Sequence, residues 1–243
     1  MTTVAAADIA GASTDNCTAS ADLVIGISTN GTLGLPAVAS VLLTADFSIG
    51  CPQTQEVWLH VWDQCGNEHA TMQDVDLEDN IDPVAVPMPS VSSPYAVDAS
   101  CMATVSAADI AGASTDNCTA SADLIIGIST DGVLGNPVAA TVSLTGDFSA
   151  GCGQTQTVWL HVWDQCGNEH AAMQTVDLVD NVDPVAVPMA PASAFGVDAS
   201  CMTTVTAADI AGASTDNCTA LADLVIGIST DGVLGNAVVA SVI

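Results

Sequence analysis

The chain has no lysine and no arginine. Against its 28 aspartates and glutamates, the formal net charge is −28. No side chain can form an ion pair at neutral pH unless a histidine is protonated. Nucleic-acid binding is excluded, because its affinity comes from Lys and Arg on phosphates. Lysine Schiff bases, arginine clamps and lysine isopeptide cross-links are excluded as well. The negative charge has to be met by solvent, salt or bound cations, and Ca²⁺, which takes oxygen ligands, is the leading cation. Aromatic residues are scarce, at 3%. No apolar run approaches the ~20 residues of a membrane-spanning helix, so the chain is read as not transmembrane.

What is present is repetition. AADIAGASTDNCTA occurs at residues 6–19, 107–120 and 207–220, and VWLHVWDQCGNEHA at 57–70 and 158–171. Cys17 and Cys118 are 101 residues apart, and Cys118 and Cys218 are 100 apart. A period of that length is one small domain and not a helix pair of a solenoid. Near-identical domains in tandem add length or valency; they do not build one active site. Only 12% of residues are charged and mean hydropathy is +0.48. Small apolar surface of this kind points to cover by neighbouring copies.

Nine cysteines recur at fixed places, four to a complete repeat. An even framework in a small β-domain points to disulfides and an oxidising, extracellular setting. Zinc is the rival, but its close Cys-x₂-Cys spacing is missing. Met1-Thr-Thr-Val lacks the basic start and apolar core of a secretion signal. The 243 residues are therefore read as a window on a longer protein.

The middle copy reads as about seven short strands with turn signals between them and no helical periodicity, the pattern of a β-sandwich. Residues 103–110 alternate weakly, 122–130 and 138–144 are aliphatic, and 155–163 alternate strongly before the turn Asp164-Gln165-Cys166-Gly167-Asn168. If successive strands alternate in direction, Cys101 and Cys152 share one pole and Cys118 and Cys166 the other. The expected pairs are Cys101–Cys152, Cys118–Cys166 and, in the first copy, Cys17–Cys65.

Asp116-Asn117-Cys118, the Trp-bearing strand into Asp164–Asn168, Gln174–Asp180 and Asp183-Pro184 resemble hyalin-repeat-like (HYR-like) immunoglobulin-fold modules of bacterial surface and secreted proteins. The resemblance covers the whole repeat. It implies an Ig-like sandwich serving as a spacer or adhesive module outside the cell, without catalysis. The absence of Lys and Arg and the near-identity of the copies favour a repetitive structural role.

Three sets of residues stand out. Asp79, Asn80 and Asp82 with Asp116, and Asp180, Asn181 and Asp183 with Asp216, are candidate Ca²⁺ ligands at the two repeat junctions. The linkers are similar to the D-x-N-D-x-x-P linker of cadherin repeats. Asp164, Asn168 and Glu169 lie on a neighbouring loop. Trp58, His60 and Trp62, with Trp159, His161 and Trp163, share one face of their strands by period two. With Leu59 and Leu160 inward, they form an exposed stripe suited to assembly, and the histidines are read as surface residues. Asn30-Gly-Thr32 is a candidate glycosylation site.

The resulting expectation is an all-β chain of tandem, disulfide-stapled Ig-like β-sandwich domains. The first domain is 1–82, lacking its first strand; the second, 83–183, is complete; the third, 184–243, is truncated. The expected function is a structural protein, not an enzyme, found outside the cell or on its surface and forming a homo-polymer. A calcium-dependent adhesin stalk is the alternative.

Overall fold

The computed structural model describes residues 1–36, 38–90, 92–136, 138–233 and 241–242. Alternating aliphatic residues determine the sheets of the middle repeat. Its strands are β6 (Tyr95–Ala96), β7 (Met102–Ser106), β8 (Ile125–Ser129), β9 (Thr141–Thr145), β10 (Gly153–Trp163) and β11 (Glu169–Val179), preceded in the first repeat by β1 (Thr2–Ala5), β2 (Val24–Ser28), β3 (Ser40–Leu43), β4 (Gln53–Trp62) and β5 (Glu68–Leu77). One sheet has the order β6-β11-β10-β8 and the other is β7-β9. All pairs are antiparallel except β6 on β11. The two sheets close on Val105, Ile128, Leu144, Val158, Leu160, Val162, Val176 and Leu178. Each of these buried side chains contributes roughly 1.5–3 kcal/mol relative to exposure. The chain is an all-β, Ig-like β-sandwich protein.

The long β10–β11 hairpin holds its register because Asp164 builds the turn. Its Oδ1 accepts from the backbone N–H groups of Cys166 (2.9 Å) and Asn168 (2.8 Å), and Gly167 supplies the left-handed residue at φ 91°. The strand expected over 103–110 stops at Ser106. Ser106 caps a one-turn helix, Ala107–Ile110, in a reciprocal box with Asp109. Ile110 is thereby turned into the core. The first repeat has sheets β2-β4-β5 and β1-β3 around Ile27, Leu43, Phe47 and Val57. In the third, β12 (Val205–Thr206) pairs with β13 (Ser241–Val242); residues 234–240 and 243 lie outside the described residues. The proline-bounded segments Pro83–Pro87 and Pro184–Pro188 run along the rim of the second and third repeats. They bridge Thr115 and Ala111 in one case and Thr215 and Ala211 in the other.

The disulfides differ from expectation. Cys51 is bonded to Cys166 and Cys101 to Cys218, with Cα–Cα distances of 5.0 and 5.1 Å. The expected pairs Cys17–Cys65, Cys101–Cys152 and Cys118–Cys166 are not formed; Cys17, Cys65, Cys118, Cys152 and Cys201 are thiols. The reason is stacking. The expected pairs joined cysteines within one repeat, whereas the leaving end of one repeat abuts the entering end of the next. Cys51 precedes β4 at the leaving end of the first repeat, and Cys166 lies in the β10–β11 turn at the entering end of the second. Cys101 is set by a tight turn in which its N–H donates to Asp98 O at 3.0 Å. That turn holds it at φ 60°, and it recurs at Cys201 with φ 59°.

Reducing the two bridges should loosen the junctions before it melts the sandwiches. We expect peptic mapping without reductant to recover Cys51–Cys166 and Cys101–Cys218. Cys51→Ser should lower stability by about 2–4 kcal/mol, the usual worth of a disulfide. Recovery of a Cys118–Cys166 peptide instead would restore pairing within the repeat.

Candidate metal centre at the junction between repeats

Three carboxylates converge where the first repeat meets the second. Asp79 follows β5 on the linker, Asp116 sits in the loop after the Ala107–Ile110 helix, and Asp164 opens the β10–β11 turn. One oxygen of each lies within 4.8 Å of the others. Asp79 and Asp164 are only 6% and 2% exposed. Asp79 Oδ1 accepts from Ile81 N (3.1 Å) and Asn117 Nδ2 (3.2 Å), and its main-chain oxygen from Asn168 Nδ2 (2.8 Å). Asp116 Oδ2 accepts from Cys118 N (2.8 Å) and Thr119 N (2.7 Å). Asp79 Oδ2 and Asp116 Oδ1 are buried with no hydrogen-bond partner. Orphaned oxygens of that kind are costly to bury, and no cationic side chain exists to meet them. The donors are all oxygen, which suits a hard divalent cation. Burial pushes the neighbouring Cys118 thiol up, and the Asp79 charge adds to that.

The turns that present these carboxylates recur in the first repeat. There Asp15 is held below the ordinary carboxylate range by the Cys17 backbone N–H, and Asp63 by the Asn67 amide. Both are therefore ionised at neutral pH.

The structure brings together Asp79 and Asp116 of the expected ligands and adds Asp164. Asn80 and Asp82 are exposed and outside the group. At the second junction Asp180 caps Val182 N (3.0 Å) and Asp216 accepts from Cys218 N (2.9 Å). Asn181 and Asp183 are exposed. Among the described residues these four belong to no three-carboxylate group. Asp164, which the sequence placed only on a neighbouring loop and whose spacing reads as a turn former, was not among the expected ligands. Only the stacking of repeats turns it towards Asp79.

His60 and His161 are not surface residues; they are 1% and 0% exposed. In each case Nε2 is 2.8 Å from a serine Oγ, of Ser28 or Ser129. Nδ1 is 2.7 Å from Glu68 or Glu169. The histidines stack on Trp62 and Trp163 with ring centroids 5.6 and 5.8 Å apart. The loop after β2 or β8 folds back over this face. Gly34 N donates to Glu68 at 2.6 Å and Gly135 N to Glu169 at 2.7 Å. Gly31 and Gly132, at φ 63° and 64°, lie so close to Trp58 and Trp159 that a Cβ would stand 2.5 and 2.4 Å from the rings. The expected open stripe is thus a packed outer layer, with Trp58, Trp62, Trp159 and Trp163 half-buried. Asn30 is exposed in this loop, where its Oδ1 accepts from Thr32 N at 3.1 Å.

No protein-family model matches the chain, and no curated protein matches it in sequence. Partial similarity exists to solved cadherin-type structures. The extracellular domain of protocadherin GammaB4 is 13% identical with a TM-score of 0.34, over 70% of this chain and 28% of that one. Protocadherin Gamma B2 extracellular cadherin domains 3–6 are 13% identical with a TM-score of 0.31, over 69% and 42%. Domains 1–5 of the same protein are 11% identical with a TM-score of 0.30, over 82% and 39%. The chain thus spans less than half the length of each. Among the described residues, no helix is long and apolar enough to cross a membrane.

The outer layer is open to test. Gly132→Ala adds both a strained backbone and a clash with Trp159, and should cost about 1–3 kcal/mol. Trp159→Ser should cost roughly 2–3 kcal/mol, below the ~3–5 of a fully buried aromatic. Urea denaturation checks both, and an unchanged midpoint for either would return these tryptophans to the free surface.

Proposed function

We propose that this chain is a structural extracellular protein. In this reading the Ig-like units 1–82, 83–183 and 184–243 stack into a rod that forms a homo-polymeric filament or surface fibre, and none is an enzyme. The observation that carries it is the pair of disulfides across successive junctions, Cys51–Cys166 and Cys101–Cys218. Bridges between neighbouring repeats fix the direction in which one unit follows another, which is a requirement of a fibre and not of a catalyst. Disulfides persist in oxidising compartments, which supports a location outside the cell or on its surface. Apolar residues recur once per repeat on the outer face: Val24 and Met72 in the first, Ile125 and Met173 in the second, all more than 40% exposed. Repeated weak patches at one spacing act together along a fibre. Electron microscopy of the native material tests the reading: ordered fibres with an axial repeat of one or more units are expected, and scattered single rods would overturn it.

Those single rods are the second reading, a calcium-dependent adhesin stalk, and the Asp79–Asp116–Asp164 group favours its calcium element. We propose that Ca²⁺ binds there in either case. At a free concentration a hundredfold above Kd the folded state gains about 2.7 kcal/mol. Chelation should therefore lower the melting temperature at fixed ionic strength. Asp79→Asn should abolish that response while melting no lower than the wild type in chelator, because it removes a repelling charge. A melting curve indifferent to both Ca²⁺ and chelator would leave the three residues as turn and linker caps.

A further inference from the structure

A line of hydrogen bonds in the outer layer ends on a backbone amide. Glu68 Oε1 is 2.7 Å from His60 Nδ1, His60 Nε2 is 2.8 Å from Ser28 Oγ, and Gly31 N donates to Ser28 Oγ at 3.3 Å. The Gly34 N–H holds the Glu68 carboxyl below its ordinary range, and His60 adds to that against the opposing effect of burial. Glu68 is therefore ionised at neutral pH and can only accept, which puts the His60 proton on Nδ1. Nε2 is then the acceptor, and the Ser28 hydroxyl donates to it. A neutral imidazole so placed is a base, with the serine as its relay to the Gly31 amide. The middle repeat, which has a neighbour on either side, builds the same line from Glu169, His161, Ser129 and Gly132 at 2.7, 2.8 and 3.1 Å.

In the first repeat the residue before that glycine is asparagine; the second and third carry Asp131-Gly132 and Asp231-Gly232 there. Asn30 is exposed, and its Oδ1 accepts from Thr32 N at 3.1 Å. A glycine nitrogen next to asparagine can attack the side-chain carbonyl, because no Cβ on the glycine shields it. The attack needs a base at the nitrogen and a donor at the oxygen on which negative charge gathers. Ser28 stands at the first and Thr32 N–H at the second.

We propose that Asn30-Gly31 is a self-processing site, at which the first repeat converts its own Asn30 to aspartate through a cyclic imide. The Gly31 nitrogen bonds to Asn30 Cγ. Its proton moves to Ser28 Oγ, and the Ser28 hydroxyl proton moves to His60 Nε2. The carbonyl electron pair goes to the former Oδ1, held by Thr32 N–H. When that pair returns, the Cγ–Nδ2 bond breaks and Nδ2 leaves as ammonia, with the proton handed back from His60 through Ser28. Solvent water then opens the imide at Cγ and restores the Gly31 N–H. No oxidant or reductant is consumed. Ser28 touches the reacting nitrogen; His60 and Glu68 act through it as positioning residues. The change happens once per chain, so the repeat is still not an enzyme.

The loop selects the product. Opening at the main-chain carbonyl would lengthen the backbone between Asn30 and Gly31 by one carbon. There is no slack for it: a Cβ on Gly31 would already stand 2.5 Å from Trp58, and Gly34 N is tied to Glu68 at 2.6 Å. Opening at Cγ keeps the length and gives the aspartate that the other copies bear. Theirs accept from Val133 N and Val233 N, each at 3.2 Å. Conversion also removes the Asn-Gly-Thr acceptor, so glycosylation and self-processing of Asn30 exclude each other. Around His60, Glu68 is the charged group that faces it from β5. Strand β2 and the loop 29–36 carry no titratable side chain, and Glu56 and Asp74, paired across β4 and β5, lie two rungs further along the face. The relay works only while His60 is neutral.

Peptic mapping of the full chain, timed over days in buffers from about pH 5 to pH 9, follows Asn30 through loss of ammonia and uptake of water. The wild-type rate should rise through the histidine range and then level off, and the product should be aspartate and not isoaspartate. Ser28→Ala and His60→Gln, checked for folding by circular dichroism, should react about a hundredfold more slowly at neutral pH and only in proportion to hydroxide. Glutamine keeps a hydrogen bond to Ser28 without a titrating group, so a merely structural role for His60 would leave the rate and its profile unchanged. The wild type in denaturant is a second reference without the relay. A folded wild-type rate proportional to hydroxide throughout, or equal to that in denaturant, overturns the proposal. So does an Asn30 that persists in the folded chain while the denatured chain reacts, which would make the turn a guard.

Discussion

Every carboxylate in this chain has to be held without a cationic side chain, and the fold follows from how that is done. In loops, backbone amides take the role that lysine and arginine play elsewhere. Asp15, Asp63, Asp116, Asp164 and Asp216 each accept main-chain N–H groups two to four residues on. These turns are self-contained, so they can be written into every repeat without reference to a distant partner. Where three such turns and linkers meet, the amides run out and carboxylate oxygens remain facing one another. The junction between repeats is the point at which local satisfaction fails.

A second consequence is that packing between repeats cannot rely on ion pairs. It is built from disulfides, from amide donors such as Asn117 and Asn168 reaching the Asp79 linker, and from an edge strand that crosses into the following repeat. Each of these is directional. A repeat has an entering end made of the Asp116 and Asp164 loops and a leaving end made of Cys51 or Cys101, and the two are not interchangeable.

Much of the fold was legible in the sequence, because period-two patterning and turn chemistry are local. The β10–β11 hairpin, the turn at Asp164 and the sandwich class all follow from residues within reach of one another. What was not legible depends on stacking. The cysteines were paired within a repeat because spacing along one chain says nothing about which end of which neighbour faces them. His60 and His161 were placed outside because alternation assigns a face and not its cover. A loop some thirty residues earlier in sequence, with Gly31 or Gly132 at its tip, lies over each of them. Asp79 and Asp116 were expected side by side because the linker enters beside that loop in any sandwich of this kind. Asn80 and Asp82 were not brought in, since the linker turns outward after Asp79.

The two bridges span 115 and 117 residues and overlap in sequence. Pulled from its ends, an unbridged chain of this length would pay out nearly its whole contour once its sheets gave way. Here tension entering at Cys51 passes directly to Cys166, and that arriving at Cys101 passes directly to Cys218. All of β4–β10 lies between Cys51 and Cys166, and β7–β10, between Cys101 and Cys166, are bypassed by both bridges. Loss of a sandwich under force would therefore lengthen the molecule by only a fraction of the strand it frees, and a cut in the linker after Asp79 would leave the two repeats on one covalent object. The chain behaves less like a string of beads than like links of a closed-mesh cable.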